Sequence, residues 1–523
     1  MTATKHVYGE SLRLLAKAKA SRTPVIQRHE MCTWKNNESV QIGSTARSTS
    51  YLTINDIPGP RPSIPFIGTG WQYFPGGRYS LASLHESAID KYQRYGQIVK
   101  EEFQWGKPVI HLFNPDDFET VFRFQGNAPL RPISDFVKHY RQNNPDKYST
   151  PGLANSVGDE WKALRNTLNP ALLKLHALDG LIGPMNEIGD DFMSLLRKIR
   201  DPNTHKINNF QDSVYKLALE GVYMMSLDCR LGCLEPELQR DSQTMIFAVK
   251  LLFEAFQELF YGPALWKIIK TRSYKKLDQA ESLMYEAANK RVKAAINNMR
   301  SCNEDKTGTK SVLQTLLQTE GLTDKEIIVT VIDFISGGIF TITNAFTFLI
   351  YHMARNPDVQ SKLYEELRHK IPDGKITKEA LERLPYLKAC IKESFRLTST
   401  IPCISRILPE PVILSGYYIP AGTPLFCNFI VPCKQAERYP EPERFNPDRW
   451  IKKTSRTNPF TLVPFGHGMR MCVGRRFAEL EMHAALAKMV YNFKMEYKGP
   501  EIKCKQAFIV VPSEPVSVII KDR

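Results

Sequence analysis

The sequence predicts a mainly α fold with a minor β lobe, and three observations carry that prediction. Helix-forming patterns dominate from about residue 160 to 400. Two short β-prone runs, residues 96–103 and 108–113, come before them. Near the carboxyl end, a glycine-rich loop around one cysteine, Cys472, leads into a helix-prone stretch. With 523 residues the chain can bury a substantial core, so one large domain or two unequal lobes fit better than several small modules. At 42% hydrophobic and 24% charged residues, the composition excludes disorder, collagen-like repetition and a multispan membrane protein.

The formal charge of +15 favours an acidic partner or an anionic membrane surface. Nucleic acid is not expected, because there is no zinc pattern, recognition-helix signature or Arg/Gly tract. The ten cysteines are scattered, unlike the framework of a secreted disulfide scaffold, which points to a reducing compartment. Cys229 and Cys233 lie four apart with no second Cys/His pair nearby, so a structural zinc site is not expected there.

Residues 1–50 hold eight Lys/Arg against three Glu and have no apolar signal core. With Leu12, Leu14 and Leu15 beside Lys17 and Lys19, this segment reads as a mitochondrial presequence, a disordered basic tail being the alternative. Residues 51–65 carry Pro58, Pro60, Pro62 and Pro65, which forbid helix and stiffen the chain into a hinge. The main domain is expected over residues 66–523.

Residues 252–269 are rich in aromatics (Phe253, Phe256, Phe260, Tyr261, Trp266) and are broken at Gly262 and Pro263. They read either as core or as a pocket roof that also touches a membrane. In residues 327–354 the one clearly charged side chain is Asp333, and the run is long enough to resemble a transmembrane helix. Gly337, Gly338, Thr341, Thr343 and Asn344 at its middle instead favour a buried helix passing close to a bulky ligand.

The cysteine loop carries the chemistry. Gly466, Gly468 and Gly474 free the backbone for otherwise costly conformations and bring amide N–H groups near sulfur, while Arg470 offers a rigid cationic fork to an anion. Phe465, Gly468, Arg470, Cys472 and Gly474 match Phe-x-x-Gly-x-Arg-x-Cys-x-Gly, and here the chain resembles the cytochrome P450 family from about Pro58 to its end. The resemblance implies the cytochrome P450 fold, with haem b (iron protoporphyrin IX) between the central helix and the cysteine loop, and Cys472 as the iron ligand. Thiolate ligation pushes electron density onto iron and favours O–O cleavage.

Glu393 and Arg396 share a helix face at i, i+3, and a stretch with Pro442, Phe445, Pro447, Asp448, Arg449 and Trp450 follows, similar to the family's meander. That likeness makes Glu393, Arg396 and Arg449 a structural triad. It also makes Trp161, Arg165, Arg406 and Arg470 the binders of the haem propionates. The central helix departs from the family pattern, since Phe340 stands where an acid normally precedes Thr341. Oxygen activation is then expected to use Thr341 with water, helped by Thr343 or Asn344, or the chemistry needs no proton relay.

Lys388 and Lys392 lie one helical turn apart, and Arg475 and Arg476 follow the ligand loop, so a basic face suited to an acidic electron carrier is expected. Paired lysines here, with the continuation from Gly474 to Glu479, look like the mitochondrial class, which implies a ferredoxin partner and peripheral attachment to the matrix side of the inner membrane. Residues 140–148, 261–267 and 404–408 look like arthropod mitochondrial members, including the ecdysone 20-hydroxylase group. The implied function is hydroxylation of a steroid such as an ecdysteroid, with residues 398–404 and 508–510 as pocket walls. A xenobiotic-metabolising member, a haem-thiolate isomerase or dehydratase needing no redox partner, and a non-catalytic haem binder are the alternatives.

Overall fold

The helix Asp324–Arg355 is central to the helical bulk, packing most closely on the helices Phe210–Leu227 and Arg272–Ser301. Thr323 caps it with a reciprocal capping box: the Thr323 side chain accepts from the Glu326 amide, and the Glu326 carboxylate accepts from the Thr323 amide. Its length and hydropathy would suit a membrane span, but 67% of its most apolar window is buried inside the protein, as expected for a core helix. Small residues set its closest approach to a neighbour. A Cβ at Gly338 would lie 2.7 Å from Val222 Cγ2 on the helix Phe210–Leu227. The computed structural model describes residues 51–173, 178–235, 237–262, 264–301, 311–451 and 458–523; the expected presequence, Cys32, Cys302 and Pro263 lie outside them.

Fifteen α-helices are present among the described residues, together with eleven short strands. The strands are β1 (Ile98–Gln104), β2 (Lys107–Leu112), β3 (Lys206–Ile207), β4 (Ile404–Ile407), β5 (Val412–Leu414), β6 (Tyr417–Ile419), β7 (Pro424–Cys427), β8 (Phe493–Glu496), β9 (Cys504–Ala507), β10 (Ile509–Pro512) and β11 (Val518–Asp522). The two β-prone runs form the antiparallel pair β1–β2, and β7 joins β2 in parallel, giving the sheet order β1-β2-β7-β4. Strands about 300 residues apart in sequence thus complete one sheet, which local patterning cannot reveal.

The proline-rich stretch expected as a hinge is packed onto this sheet. Ile57 is 1% exposed among Ile98, Ile110 and Leu425, and the Pro58 carbonyl accepts from the Lys100 amide at 2.9 Å. Proline stiffness here restricts a segment that packs on the strands. Residues 51–523 behave as one unit.

The aromatic segment divides into buried and exposed side chains. Phe253 and Phe256, on the helix Arg240–Tyr261, turn inward, whereas Phe260, Leu265, Ile268 and Ile269 are exposed. Among the described residues no group of three or more His, Cys, Asp and Glu is placed to hold a metal ion.

Candidate functional site

The cysteine loop is held from within by backbone bonds. The Cys472 amide donates to the Phe465 carbonyl at 2.8 Å, the Met471 amide to Gly468 at 3.0 Å, and the Gly466 amide to Val463 at 2.9 Å. Gly466 and Gly468 take φ of 73° and 76°, left-handed values that favour glycine, and a Cβ at Gly468 would lie 1.9 Å from Gln125 Nε2. Gly474 differs from expectation. Its φ of −84° is open to any residue, and it serves as N-cap of the helix Arg475–Asn492. Its amide N–H is aimed at the Cys472 sulfur.

Cys472 lines a cavity of about 420 Å³ between this loop and the central helix, and its exposed surface opens into that cavity. The protein packed around the sulfur pushes the thiol pKa up, while the Gly474 N–H and the charges of Arg165, Arg131 and Arg475 favour the thiolate. Thr341, on the opposite wall, donates its hydroxyl to the Gly337 and Gly338 carbonyls at 2.8 and 3.1 Å. That leaves the lone pairs of its oxygen free to accept. Thr343 and Asn344, expected to help, are buried, bond the carbonyls of Ile339 and Phe340, and do not line the cavity. The helix period turns them away from the face that Gly337, Thr341 and Ala345 share. Phe340, at the acid position, stacks on Phe253 with centroids 4.2 Å apart and planes 22° apart.

The expected propionate binders converge on this cavity. Arg165 donates to the Met471 carbonyl at 3.1 Å, and Arg406 to Gln125 Oε1 at 2.8 Å and to the His467 carbonyl at 3.4 Å. Arg470 donates to the Ser156 carbonyl and lies 4.5 Å above the Trp161 ring. Phe465 packs edge-on against Phe395. Sequence reading missed Arg131, a lone charge flanked by Leu130 and Pro132, which enters the same cavity; its isolation in an apolar, proline-rich run was the available signal.

No carboxylate pairs with Arg165, Arg406 or Arg470 among the described residues, and Nε of both Arg165 and Arg470 is buried without a partner. Burial pushes Arg470 down to about 8, helped by the charges of Arg131, Arg406 and Arg165, and pushes Arg406 down to about 10, helped by Arg131. Buried cations that repel one another call for anions between them. A thiol on one face, the guanidiniums of Arg165, Arg406 and Arg470 and a mainly apolar remainder that also holds Arg131 and Asp333 fit haem b, whose two carboxylates would meet those three arginines.

Glu393, Arg396 and Arg449 meet as expected. Arg396 and Glu393 form a bidentate pair with both bonds at 2.9 Å, and Arg449 Nε and Trp450 Nε1 each donate to Glu393 at 2.9 Å. On the same helix, Pro385–Leu397, Lys388 and Lys392 are exposed. Lys392 Nζ lies 4.1 Å from the centroid of the Trp450 ring, and burial together with the nearby Arg475 charge lowers its pKa. Lys388, Lys392 and Arg475 therefore belong to one basic face, and Arg476 follows Arg475 at the start of the next helix.

The cytochrome P450 family profile matches residues 58–520. The ecdysone 20-monooxygenase of Drosophila melanogaster is 33% identical over 90% of this chain and 88% of its own length. Cytochrome P450 CYP12A2 of Musca domestica is 32% identical over 86% of this chain and 88% of its own. The mitochondrial cytochrome P450 302a1 of Drosophila melanogaster is 30% identical over 92% of this chain and 99% of its own. Given its cysteine loop, its arginine-lined cavity and these matches, the chain belongs to the cytochrome P450 family of monooxygenases, which bind haem b through a cysteine thiolate.

Proposed function

We propose that this chain is a mitochondrial monooxygenase that hydroxylates a sterol-like lipid such as an ecdysteroid, with electrons from a ferredoxin. The observation that carries this reading is the cavity, with Cys472 on one wall, Thr341 on the other and mainly apolar lining such as Val222, Phe334, Ile401 and Ile404. The likeness to an ecdysone 20-monooxygenase and to relatives named mitochondrial agrees with it.

Cys472 is the iron ligand in this reading, and Arg165, Arg406, Arg470 and Trp161 hold the haem propionates. Haem with a thiolate ligand supplies the electron density that favours O–O cleavage. The Thr341 hydroxyl, anchored on Gly337 and Gly338, holds a proton or a water at its oxygen on the cavity face. Of the expected substrate walls, Thr400, Ile401 and Ile404 line the cavity, and the Val510 amide ties β10 to Thr400 at 2.9 Å. Phe508 packs against Phe253, Phe256 and Phe260 above the central helix.

The exposed Lys388, Lys392 and Arg475, with Arg476, form the docking face for the acidic ferredoxin. Peripheral membrane contact is supported by Ile268 and Ile269, 83% and 61% exposed beside Lys267 and Lys270, a mixture suited to an anionic lipid surface.

The test is a visible-spectrum titration of the purified haem protein with a panel of sterols and ecdysteroids. A saturable low-to-high-spin change names the substrate class. No response to any of them would move the reading to xenobiotic substrates. Turnover without ferredoxin would favour isomerase or dehydratase chemistry, for which Phe340 at the acid position is the motivating feature. Cys472→Ala should abolish the thiolate-type spectrum of the reduced carbon monoxide complex; its persistence would exclude Cys472 as ligand.

A further inference from the structure

Asp333, the lone acid in the apolar run of the central helix, has no part in the chemistry described above, yet it lines the cavity. It lies two turns before Thr341 on the face that also carries Gly337. One of its oxygens pairs with Arg141 Nη1 at 2.7 Å, and the other accepts from the Ala154 amide at 3.1 Å. Arg141, 2% exposed on the helix Asp135–Gln142, also pairs with Glu281 at 3.0 Å and donates to the Pro151 carbonyl at 2.8 Å. Arg131 donates to the Ala154 carbonyl at 2.7 Å and feels the Asp333 charge.

Arg141 pairs with both Asp333 and Glu281, while Arg131 stands between this group and the haem site, feeling Asp333 on one side and the Cys472 sulfur on the other. The segment between Arg131 and Arg141, with the turn after it, is tied to the central helix through Asp333 and, farther along, through Lys325 Nζ, which donates to the Pro145 carbonyl at 2.8 Å, and Leu153 and Ala154 of that turn line the cavity. The turn is built for close approach. Gly152 has φ of 87°, and a Cβ there would lie 2.5 Å from both Arg141 Nη1 and Asp333 Oδ2.

We propose that Asp333 is a specificity-determining positioning residue: through Arg141, Arg131 and the Ala154 amide it holds residues 151–154 as a fixed wall of the cavity. Ligands large enough to reach that wall bind only when it is in place. This rests on the family assignment and not on the sterol reading, so the probes chosen are not sterols.

The experiment compares the wild-type haem protein with Asp333→Asn. Imidazole, which needs only the iron, and 1-tritylimidazole, whose three phenyl rings extend well beyond the iron, are titrated by difference spectroscopy, and amide hydrogen exchange is followed over residues 151–157. If the wall is in place about a tenth of the time in the variant, affinity for the large azole falls about tenfold while imidazole is unaffected. Exchange over the wall rises in parallel. Equal loss for both azoles, no loss for either, or unchanged exchange would overturn the proposal. Gly152→Ala, which displaces the wall without removing a charge, carries the same expectation and serves if Asp333→Asn does not fold.

Discussion

Arg396, on the helix Pro385–Leu397, and Arg470, in the cysteine loop, are both buried guanidiniums, yet their surroundings are opposite. Arg396 is satisfied by the chain itself: two bonds to Glu393 and others to the carbonyls of Cys433, Pro442 and Arg444 leave it complete. Arg470 faces other arginines and keeps a buried Nε without a partner. The first cluster is a structural staple whose cost is met on folding. In the proposed reading, the second is a receptor whose cost is met when anions arrive.

The largest expected effect breaks the staple. Glu393→Ala strands Arg396 and Arg449 and removes an acceptor from Trp450, so stability should fall by about 3–5 kcal/mol. Denaturant unfolding of the apoprotein and the haem-loaded protein should show the same loss. A loss confined to the haem-loaded form would erase the distinction between the clusters.

Glu481 sharpens the contrast, because it has neither partner nor ligand. Both its oxygens are buried without a hydrogen bond, one of them where a Cβ on Gly221 would lie 2.5 Å away, and burial holds its pKa well above 4.5. The folded state keeps a proton that the unfolded chain releases above pH 4.5. Stability therefore falls as pH rises from 4.5 toward the folded value, by roughly 1.4 kcal/mol for each pH unit. Glu481→Gln should flatten that slope in melting curves taken between pH 5 and 8, and an unchanged slope would place the titration elsewhere.

For the receptor a reversal of sign is expected. Arg470→Met removes a buried donor and a repulsive charge, so the apoprotein should gain about 1–3 kcal/mol, whereas the variant should lose haem faster to an acceptor protein. Destabilisation of both forms would show that Arg470 is satisfied without haem. The smallest effect lies on the surface: Lys388→Glu with Lys392→Glu should slow ferredoxin-driven turnover about tenfold at low salt and leave ligand titrations unchanged. Equal loss of both would sink the docking proposal.

The cysteine loop and the Glu393–Arg396 pair were legible in the sequence because their chemistry is local: residues three to nine positions apart on one loop or one helix turn meet whatever the rest of the chain does. The helical bulk and the first two strands were legible from local pattern for the same reason. Phe340 could be read as a departure but not understood, since its stack on Phe253 joins helices 87 positions apart. The same holds for the parallel pairing of β2 with β7 and for the burial of Ile57 in a stretch that looked like a hinge. By itself the sequence determined the cysteine loop and the Glu393–Arg396 pair, both set by short-range spacing, whereas Arg165 and Arg406 were named only through the family resemblance. Tertiary structure alone decided that Arg131 enters that cavity and that Asp333 joins the central helix to Arg141, because which buried charges face one another depends on how distant segments pack.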